Sequence, residues 1–272
     1  VSRKVIKGDI PDDIINTVAS AHNIVVFSGA GISAESGIPT FRDKGGLWDR
    51  FDPAEVGTPN GLVSLMMNHP ERVFDFLKES FDTIKNAHPN EGHIAIAELE
   101  NLKLSKTVIT QNIDNLHIEA GNTNVIELHG NLYRFKCTKC GRREKYSKSQ
   151  FFELADRILS QKGFNLENIL ANVPRCACGG IMRIDVVLFG EPVQDMERAY
   201  EEAAEADVML VVGTSGVVYP AASIPVVAKR AGAKIIEINP SVSGFGEIID
   251  WWIEGTSARI LKNLLEKVKR II

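Results

Sequence analysis

Short apolar runs of strand length alternate along the chain with stretches of helical period. The runs 24–27 (Ile-Val-Val-Phe), 107–110 (Thr-Val-Ile-Thr), 125–128, 208–212 and 234–238 are rich in β-branched residues and end in turn-forming or polar residues. Runs of this kind suit strands buried on both faces, as parallel strands are. Between them, apolar positions recur at helical spacing over 12–21, 70–85, 91–102, 195–206, 221–231 and 256–268. This alternation predicts an α/β fold, a mostly parallel sheet with helices on both faces.

Two stretches interrupt the alternation. The first, about 38–89, carries Pro39, Pro53, Pro59 and Pro70 and is too long for a simple connection, so a loop followed by a small helical module is expected. The second, about 132–184, holds every cysteine of the chain around a helix-like segment at 149–160 and reads as an inserted metal module.

Composition narrows the function classes. With 272 residues, 44% of them hydrophobic and 24% charged, the chain belongs with folded globular proteins. No apolar run approaches the ~18 residues of a membrane span, so no membrane association is expected. A net charge of −4 leaves no global positive field for non-specific nucleic-acid binding, so no direct nucleic-acid contact is expected. Residues 1–9 lack the apolar core of a secretory signal. Cysteines confined to two close pairs in such a chain suit a metal site in a reducing compartment better than a disulfide framework, which predicts a cytoplasmic location.

Several clusters carry candidate chemistry. The run Gly29-Ala30-Gly31-Ile32-Ser33-Ala34-Glu35 follows a strand. Glycines there let phosphate oxygens approach backbone N–H groups at a positive helix end, as a dinucleotide needs. A glycine turn that only packs a helix is the competing reading. No compact helix-strand unit ending in an acidic residue follows, which disfavours an ordinary dehydrogenase. The cluster Thr110-Gln111-Asn112-Ile113-Asp114-Asn115-Leu116-His117 emerges at a strand's carboxyl end, where open α/β sheets bind ligands, and its amides can both donate and accept to a carboxamide. His129, also just past a strand, is the candidate general base. Cys137 and Cys140, then Cys176 and Cys178 after 35 intervening residues, offer four thiolates to a closed tetrahedral zinc, hence a structural one. Val187, Leu188, Phe189 and Gly190 could pair backbone with an incoming peptide and wall a slot, although a buried strand fits these residues equally well. Gly213, Thr214 and Ser215 end one strand and Asn239 the next, placing them across the same sheet edge.

The segments 29–43 (GAGISAESGIPTFRD), 110–117 (TQNIDNLH), 127–130 (ELHG), 186–191 (VLFGE, preceded by Val) and 213–215 (GTS) together resemble the sirtuin family of NAD-dependent protein deacylases, in order and over nearly the whole chain. The resemblance implies a Rossmann-like NAD-binding domain of residues 1–40, 105–131 and 185–272. It also implies a small domain made of a cofactor-binding loop and helical module (41–104) and a zinc-binding module (132–184). By resemblance, Gly29, Ala30, Gly31, Ala34 and Glu35 lie along the pyrophosphate loop. Thr40, Phe41 and Arg42 belong to the cofactor loop, with Phe41 shielding the nicotinamide ribose. Gln111, Asn112, Ile113 and Asp114 form the nicotinamide and ribose pocket. Gly213, Thr214, Ser215, Asn239 and Ser257 complete the adenosine side, and Val187 to Gly190 hold the peptide.

The implied reaction joins an acetylated lysine of a protein substrate to NAD. The acyl oxygen displaces nicotinamide, His129 acts as general base on a ribose hydroxyl with Asn112 also catalytic, and water completes the release of lysine and O-acetyl-ADP-ribose. Desuccinylating sirtuins carry a Tyr and an Arg three residues apart on a helix of the helical module; Leu77 and Ser80 align there, so a neutral acyl group is expected. Two departures stand out: the tight Cys176-Ala177-Cys178 spacing, and Gly216-Val217 after Gly213-Thr214-Ser215. A mono-ADP-ribosyltransferase or NAD hydrolase using the same pocket is the alternative, and a non-catalytic NAD-sensing module a third.

Overall fold

A computed structural model describes residues 3–41, 45–160 and 164–272. In chain order the strands are β1 (Lys4–Ile6), β2 (Ile24–Ser28), β3 (Ser105–Thr110), β4 (Val125–Glu127), β5 (Gly130–Cys137), β6 (Arg143–Lys145), β7 (Met182–Val186), β8 (Val208–Val212), β9 (Lys234–Asn239) and β10 (Trp251–Glu254). One sheet is parallel throughout, in the order β1-β10-β9-β8-β2-β3-β4; a second, antiparallel, runs β6-β5-β7. The pattern had predicted the central strands and missed β1 and β10. β1 is a three-residue edge strand whose side chains stay largely exposed, so it has no apolar signature.

Every residue of β2 and β8 is buried, because helices cover both faces. On one face Ile14, Ile15 and Val18, Ala95, Ile96 and Leu99, and Ile260, Leu261 and Leu264 project from three helices into one core. On the other, Ala199, Ala203, Ile224 and Ala228 pack on Val25, Phe27, Met209 and Val211. The helix Glu91–Asn101, grouped from sequence with the helical module, thus lies on the large sheet. Its apolar stripe fits the groove beside the helix Ser257–Val268.

The segment Ala30–Ser36, expected to open an α-helix, forms a 3₁₀ turn. Gly31 and Ser33 are poor helix formers, and Gly37 ends the turn at φ 87°.

From β2 the chain moves to β3 on one side of the sheet and later to β8 on the other, so β2 and β8 flank the topological switch point. Their carboxyl ends are level: Ser28 pairs in register with both Thr110 and Val212. Open α/β sheets bind ligands in the crevice that such a reversal leaves.

The two interrupting stretches form one small unit with shared cores. Phe81 and Ile84 from the helix Pro70–Asn86 pack with Leu132, Phe135, Phe151 and Met182 of the antiparallel sheet and its helix. In return Phe164, Leu166 and Ile169 pack with Val56, Leu65, Met66 and Val73 of the helical module.

Only Leu128 and His129 separate β4 in one sheet from β5 in the other. Leu128 N donates to Thr110 O at 3.0 Å, Gln194 N to Leu128 O at 2.9 Å and Val187 N to His129 O at 2.9 Å, so this link is held by both sheets. Arg134 ties the sheets as well, donating from Nη1 to Glu127 and from Nε to Asp185, each at 2.6 Å. Burial alone would raise the Asp185 carboxyl, but Arg134, Arg143 and Gln194 hold it below the usual carboxylate range.

Gly130 follows the link at φ 83°, and a Cβ there would lie 1.8 Å from the Asp185 carbonyl oxygen. Positive φ costs a side-chain-bearing residue ~1–2 kcal/mol, and backbone displacement adds a similar amount. Gly130→Ala is therefore expected to lower the unfolding free energy by about 3 kcal/mol in urea titrations. An unchanged midpoint and slope would show that the link does not constrain the fold.

Candidate active site

The site begins where two glycine loops touch at the switch point. Gly29 N donates to Val212 O at 3.0 Å and Gly31 N to Gly213 O at 2.8 Å. A Cβ on Gly31 would lie 2.7 Å from Gly213 Cα, and one on Gly29 2.8 Å from Thr214 Cβ. These glycines are thus required first for contact between the loops. Ala30 is half-exposed beside them and Ala34 exposed. Glu35, in the same loop, turns its carboxylate to the first turn of the helix Ser257–Val268, accepting from Ala258 N at 2.7 Å. A carboxylate is favoured there by the helix's unpaired N–H groups and positive end. Ser257 is buried at that same turn, its hydroxyl without a hydrogen-bond partner among the described residues. The carbonyls of Thr40 and Phe41 accept from Leu47 N and Trp48 N. Arg42 lies outside the described residues.

The polar run after β3 turns inward. Asn112 Nδ2 donates to Gly29 O and to Ser33 Oγ, both at 3.2 Å, and Ser33 Oγ donates to Asp114 Oδ2 at 2.7 Å. Asp114 Oδ1 accepts from Leu116 N at 3.0 Å. Asn90 N donates to His93 Nδ1 at 3.3 Å, so the ring proton sits on Nε2, which faces Ser33 Oγ at 3.5 Å. Beside this, Ser28 Oγ lies 2.9 Å from His117 Nε2 and donates to Thr110 Oγ1, which also accepts from Asn112 N. Gln111 faces the other loop, its Nε2 donating to Thr214 Oγ1 at 2.9 Å. Asn239 Nδ2 donates to Thr214 O at 3.0 Å, bringing the end of β9 into the same edge. Ile113 accepts from Leu132 N, and Ser215 stays exposed.

His117 closes the polar cluster already read from the sequence, whereas Ser28, Ser33 and His93 are not site candidates there. Ser33 lies in a motif read for its glycines, and the spacing around His93 suggests only a helical residue. Their link is spatial, across more than fifty residues.

Burial shifts every titratable group here. It pushes His93 down to about 2, with the nearby His117 adding to the effect, and His117 down to about 4 against a contribution from Asn122. Burial raises the Asp114 carboxyl, opposed by Leu116 N–H and the Ser33 hydroxyl. The two histidines are neutral at physiological pH.

His129 stands at the sheet link with its Nδ1 2.9 Å from Gln111 O. A carbonyl can only accept, so Nδ1 carries the proton and Nε2 keeps its lone pair. Burial lowers the His129 pKa, and the Gln111 carbonyl partly opposes the shift. The ring is a neutral base at pH 7, with Nε2 free to take a proton.

The segment 187–190 lies just beyond the antiparallel sheet. β7 stops at Val186, and the N–H groups of Val187, Leu188 and Phe189 are already engaged by His129 O, a Glu191 carboxylate oxygen and Gly57 O. The segment offers side chains, with Phe189 43% exposed and Gly190 in a turn at φ 88°.

The sulfurs of Cys137, Cys140, Cys176 and Cys178 lie within 4.8 Å of one another, with Cys137–Cys178 at 3.5 Å and Cys140–Cys176 at 3.7 Å. A tetrahedral site with metal–sulfur bonds of ~2.3 Å has sulfur–sulfur edges of roughly 3.8 Å. The N–H groups of Lys139 and Cys140 point at Cys137 Sγ, and a Cβ on Gly180 would sit 2.6 Å from that sulfur. These four residues could hold a metal ion, the tight second pair included.

Fold and site define a Rossmann-type nucleotide-binding enzyme whose crevice is completed by a small cysteine-bearing unit. The chain belongs to the Sir2 family, whose model matches residues 29–220, more than half of its length. A protein of Desulfosudis oleivorans named NAD-dependent protein deacylase is 48% identical over 256 residues, covering 93% of this chain and 94% of its own. One of Caldivirga maquilingensis, named NAD-dependent protein deacetylase, is 44% identical over 94% of this chain and 92% of its own. The solved structure of a Sir2 homologue in complex with NAD superposes with a TM-score of 0.81 at 36% identity, covering all of this chain and 97% of the other.

The buried histidines make stability depend on pH. Each folded-state pKa lies below the unfolded value of ~6.5, so the unfolded chain binds protons the folded one refuses. Stability is full above pH ~6.5 and falls below it, by ~1.4 kcal/mol per pH unit for each such histidine, down to about pH 4 for His117 and further for His93. Urea titrations between pH 6 and 4.5 should give His93→Gln a slope shallower than the unaltered chain by about 1.4 kcal/mol per unit. Parallel slopes would mean that His93 is protonated in the fold.

Proposed function

We propose that this chain is an NAD-dependent protein lysine deacetylase, converting an acetylated lysine, NAD and water into lysine, nicotinamide and O-acetyl-ADP-ribose. The observation that carries the reading is His129, whose Nδ1 is bound to Gln111 O while Nε2 is left basic. It fits the family membership and the names of the relatives. NAD is the co-substrate, supplying an ADP-ribose acceptor with nicotinamide as leaving group.

In this reading Gly29, Ala30, Gly31 and Ala34 line the pyrophosphate, Thr40 and Phe41 belong to the cofactor loop, and Phe41 shields the nicotinamide ribose. Gln111, Asn112, Ile113 and Asp114 receive the nicotinamide end. Gly213, Thr214, Ser215, Asn239 and Ser257 receive the adenosine end, the unpartnered Ser257 hydroxyl being a free donor. Glu35 acts indirectly, holding the turn against the helix Ser257–Val268. The network through Ser33 and Asp114 fixes the Asn112 carboxamide with both Nδ2 hydrogens engaged, so the leaving group meets a preset acceptor in Oδ1; positioning of this kind suits a weak amide-oxygen nucleophile. His129 Nε2 takes the proton of a ribose hydroxyl, a transfer that its neutral state at pH 7 allows. Val187, Leu188 and Phe189 wall the acyl-lysine channel with side chains, and Gly190 turns the chain at its end.

The four cysteines would hold structural zinc. A closed four-sulfur site has no position for substrate, so the metal would steady β5 and β7, which lead to His129 and Val187. Gathered thiols of this kind favour a reducing compartment, and we place the protein in the cytoplasm. Among the described residues no helix is long and apolar enough to cross a membrane. The modules divide as a sheet domain of residues 1–40, 90–131 and 185–272, a helical module of 41–89 and a metal module of 132–184.

Mass spectrometry with an acetyl-lysine peptide tests the reading. Deacetylation should require NAD and give nicotinamide and O-acetyl-ADP-ribose in equal amounts, and His129→Ala should reduce the rate by ~10²-fold or more. Nicotinamide released equally without peptide, or ADP-ribose added to protein, would favour the hydrolase or transferase instead.

Acyl preference gives a second test. Leu77 packs in the helical core and Ser80 is three residues on, so neither offers a cation to an acyl carboxylate. A succinyl-lysine peptide should be processed at least ~10-fold less efficiently than its acetyl counterpart. Equal efficiency would place an anion-binding group elsewhere in the channel.

A further inference from the structure

Phe41 and Phe189 belong to different parts of the site, one bordering the cofactor and the other walling the peptide channel. Trp48 lies against both. Its ring is 5.2 Å from Phe41 at 31° and 6.2 Å from Phe189 at 47°. Among the described ring contacts, the two phenylalanines meet through this indole alone. The two phenylalanines are 41% and 43% exposed.

The backbone holds this arrangement from three sides. Leu47 N and Trp48 N, the first donors of the short helix Leu47–Arg50, go to Thr40 O and Phe41 O at 3.0 and 2.9 Å. Helix-end donors that would otherwise lack partners thus fix Phe41 relative to Trp48. Phe189 N donates to Gly57 O at 2.8 Å. A Cβ on Gly57 would stand 2.8 Å from Phe189 Cδ2, so the glycine lets that ring approach the helical module. Trp48 itself packs against the core formed by Val56, Leu65, Met66 and Val73.

We infer that Trp48 is a positioning residue that couples the peptide channel to the cofactor pocket. An acyl-lysine entering beside Phe189 restrains that ring. The restraint passes through the rigid indole to Phe41, which then lies ordered over the nicotinamide ribose. Each ligand therefore binds more tightly when the other is present, and by linkage the gain is the same in both directions. Such coupling would restrict cofactor cleavage to the ternary complex. The inference rests on the deacetylase reading for the identity of the two ligands.

Calorimetry with ADP-ribose, which carries the ribose in question but cannot turn over, tests this directly. ADP-ribose affinity is measured with and without acetyl-lysine peptide for the unaltered chain, Trp48→Ala and Trp48→Phe. The peptide should tighten ADP-ribose binding by about 5-fold or more in the unaltered chain. Trp48→Phe should keep most of that ratio, and Trp48→Ala should bring it close to 1. A merely structural Trp48 would lower the binding-competent fraction without moving the ratio. The inference is overturned if Trp48→Ala keeps the full ratio, or if the unaltered chain shows none. NAD-dependent deacetylation by the unaltered chain is scored in parallel. Its absence would remove the deacetylase reading while leaving the binding ratio to decide the role of Trp48.

Discussion

The site depends on a two-residue link between two sheets. A parallel strand ends at Glu127 and an antiparallel one starts at Gly130, so Leu128 and His129 must satisfy the geometry of both. Their backbone groups are taken by Thr110, Gln194 and Val187, and the His129 ring by Gln111 O. A base held by four such contacts has little freedom to lose when substrate arrives, which is the entropic basis of preorganised catalysis. The same link joins every other part of the site: Gln111 leads to Thr214 and the switch point, while Val187 leads to Phe189 and the helical module. The left-handed Gly130 lets the chain leave one sheet and enter the other within two residues.

Beneath the crevice the fold buries an unusual set of polar groups. Ser28, Ser33, His93, Thr110, Asn112, Asp114 and His117 are all nearly inaccessible, and burying unpaired polar atoms costs several kcal/mol each. Hydrogen bonds offset that cost at all of them but His117 Nδ1, which has no partner among the described residues, and from His93 to Asn112 their directions are determined. Asn90 fixes the His93 tautomer, His93 faces Ser33, and Ser33 donates to Asp114. Ser33 can then accept from Asn112, which leaves one orientation for that carboxamide. A network of this kind specifies a unique arrangement because any rotated amide or alternative tautomer leaves a buried group unpaired.

Much of this was legible in the sequence. The apolar runs revealed the central strands because burial on both faces demands uninterrupted apolar residues, and the cysteine pairs announced their own cluster. What stayed hidden has physical reasons. β1 is an exposed edge without a pattern. The 3₁₀ turn after Gly29 depends on contact with Gly213, almost two hundred residues away, which no local propensity encodes. Glu35 follows the glycine motif in sequence, and its hydrogen-bond partner is a helix end met only in three dimensions. The segment 187–190 admits a strand reading because an apolar run cannot reveal that the N–H groups of Val187, Leu188 and Phe189 are already engaged.

Electrostatics then assign different tasks to groups that look alike in sequence. His93, His117 and His129 are all pushed down by burial, yet only His129 keeps an acceptor nitrogen beside a half-exposed surface. His93 is sealed, its Nδ1 taken by Asn90 and its Nε2–H turned to Ser33. Burial therefore has two consequences. In a sealed network it freezes the tautomer and makes the ring a structural hydrogen-bonding group. At the edge of a crevice, with one nitrogen tied to a carbonyl, it keeps the ring neutral at physiological pH and leaves its second nitrogen available to accept a proton. The difference between scaffold and base lies in access, which is set by where the chain crosses between the sheets.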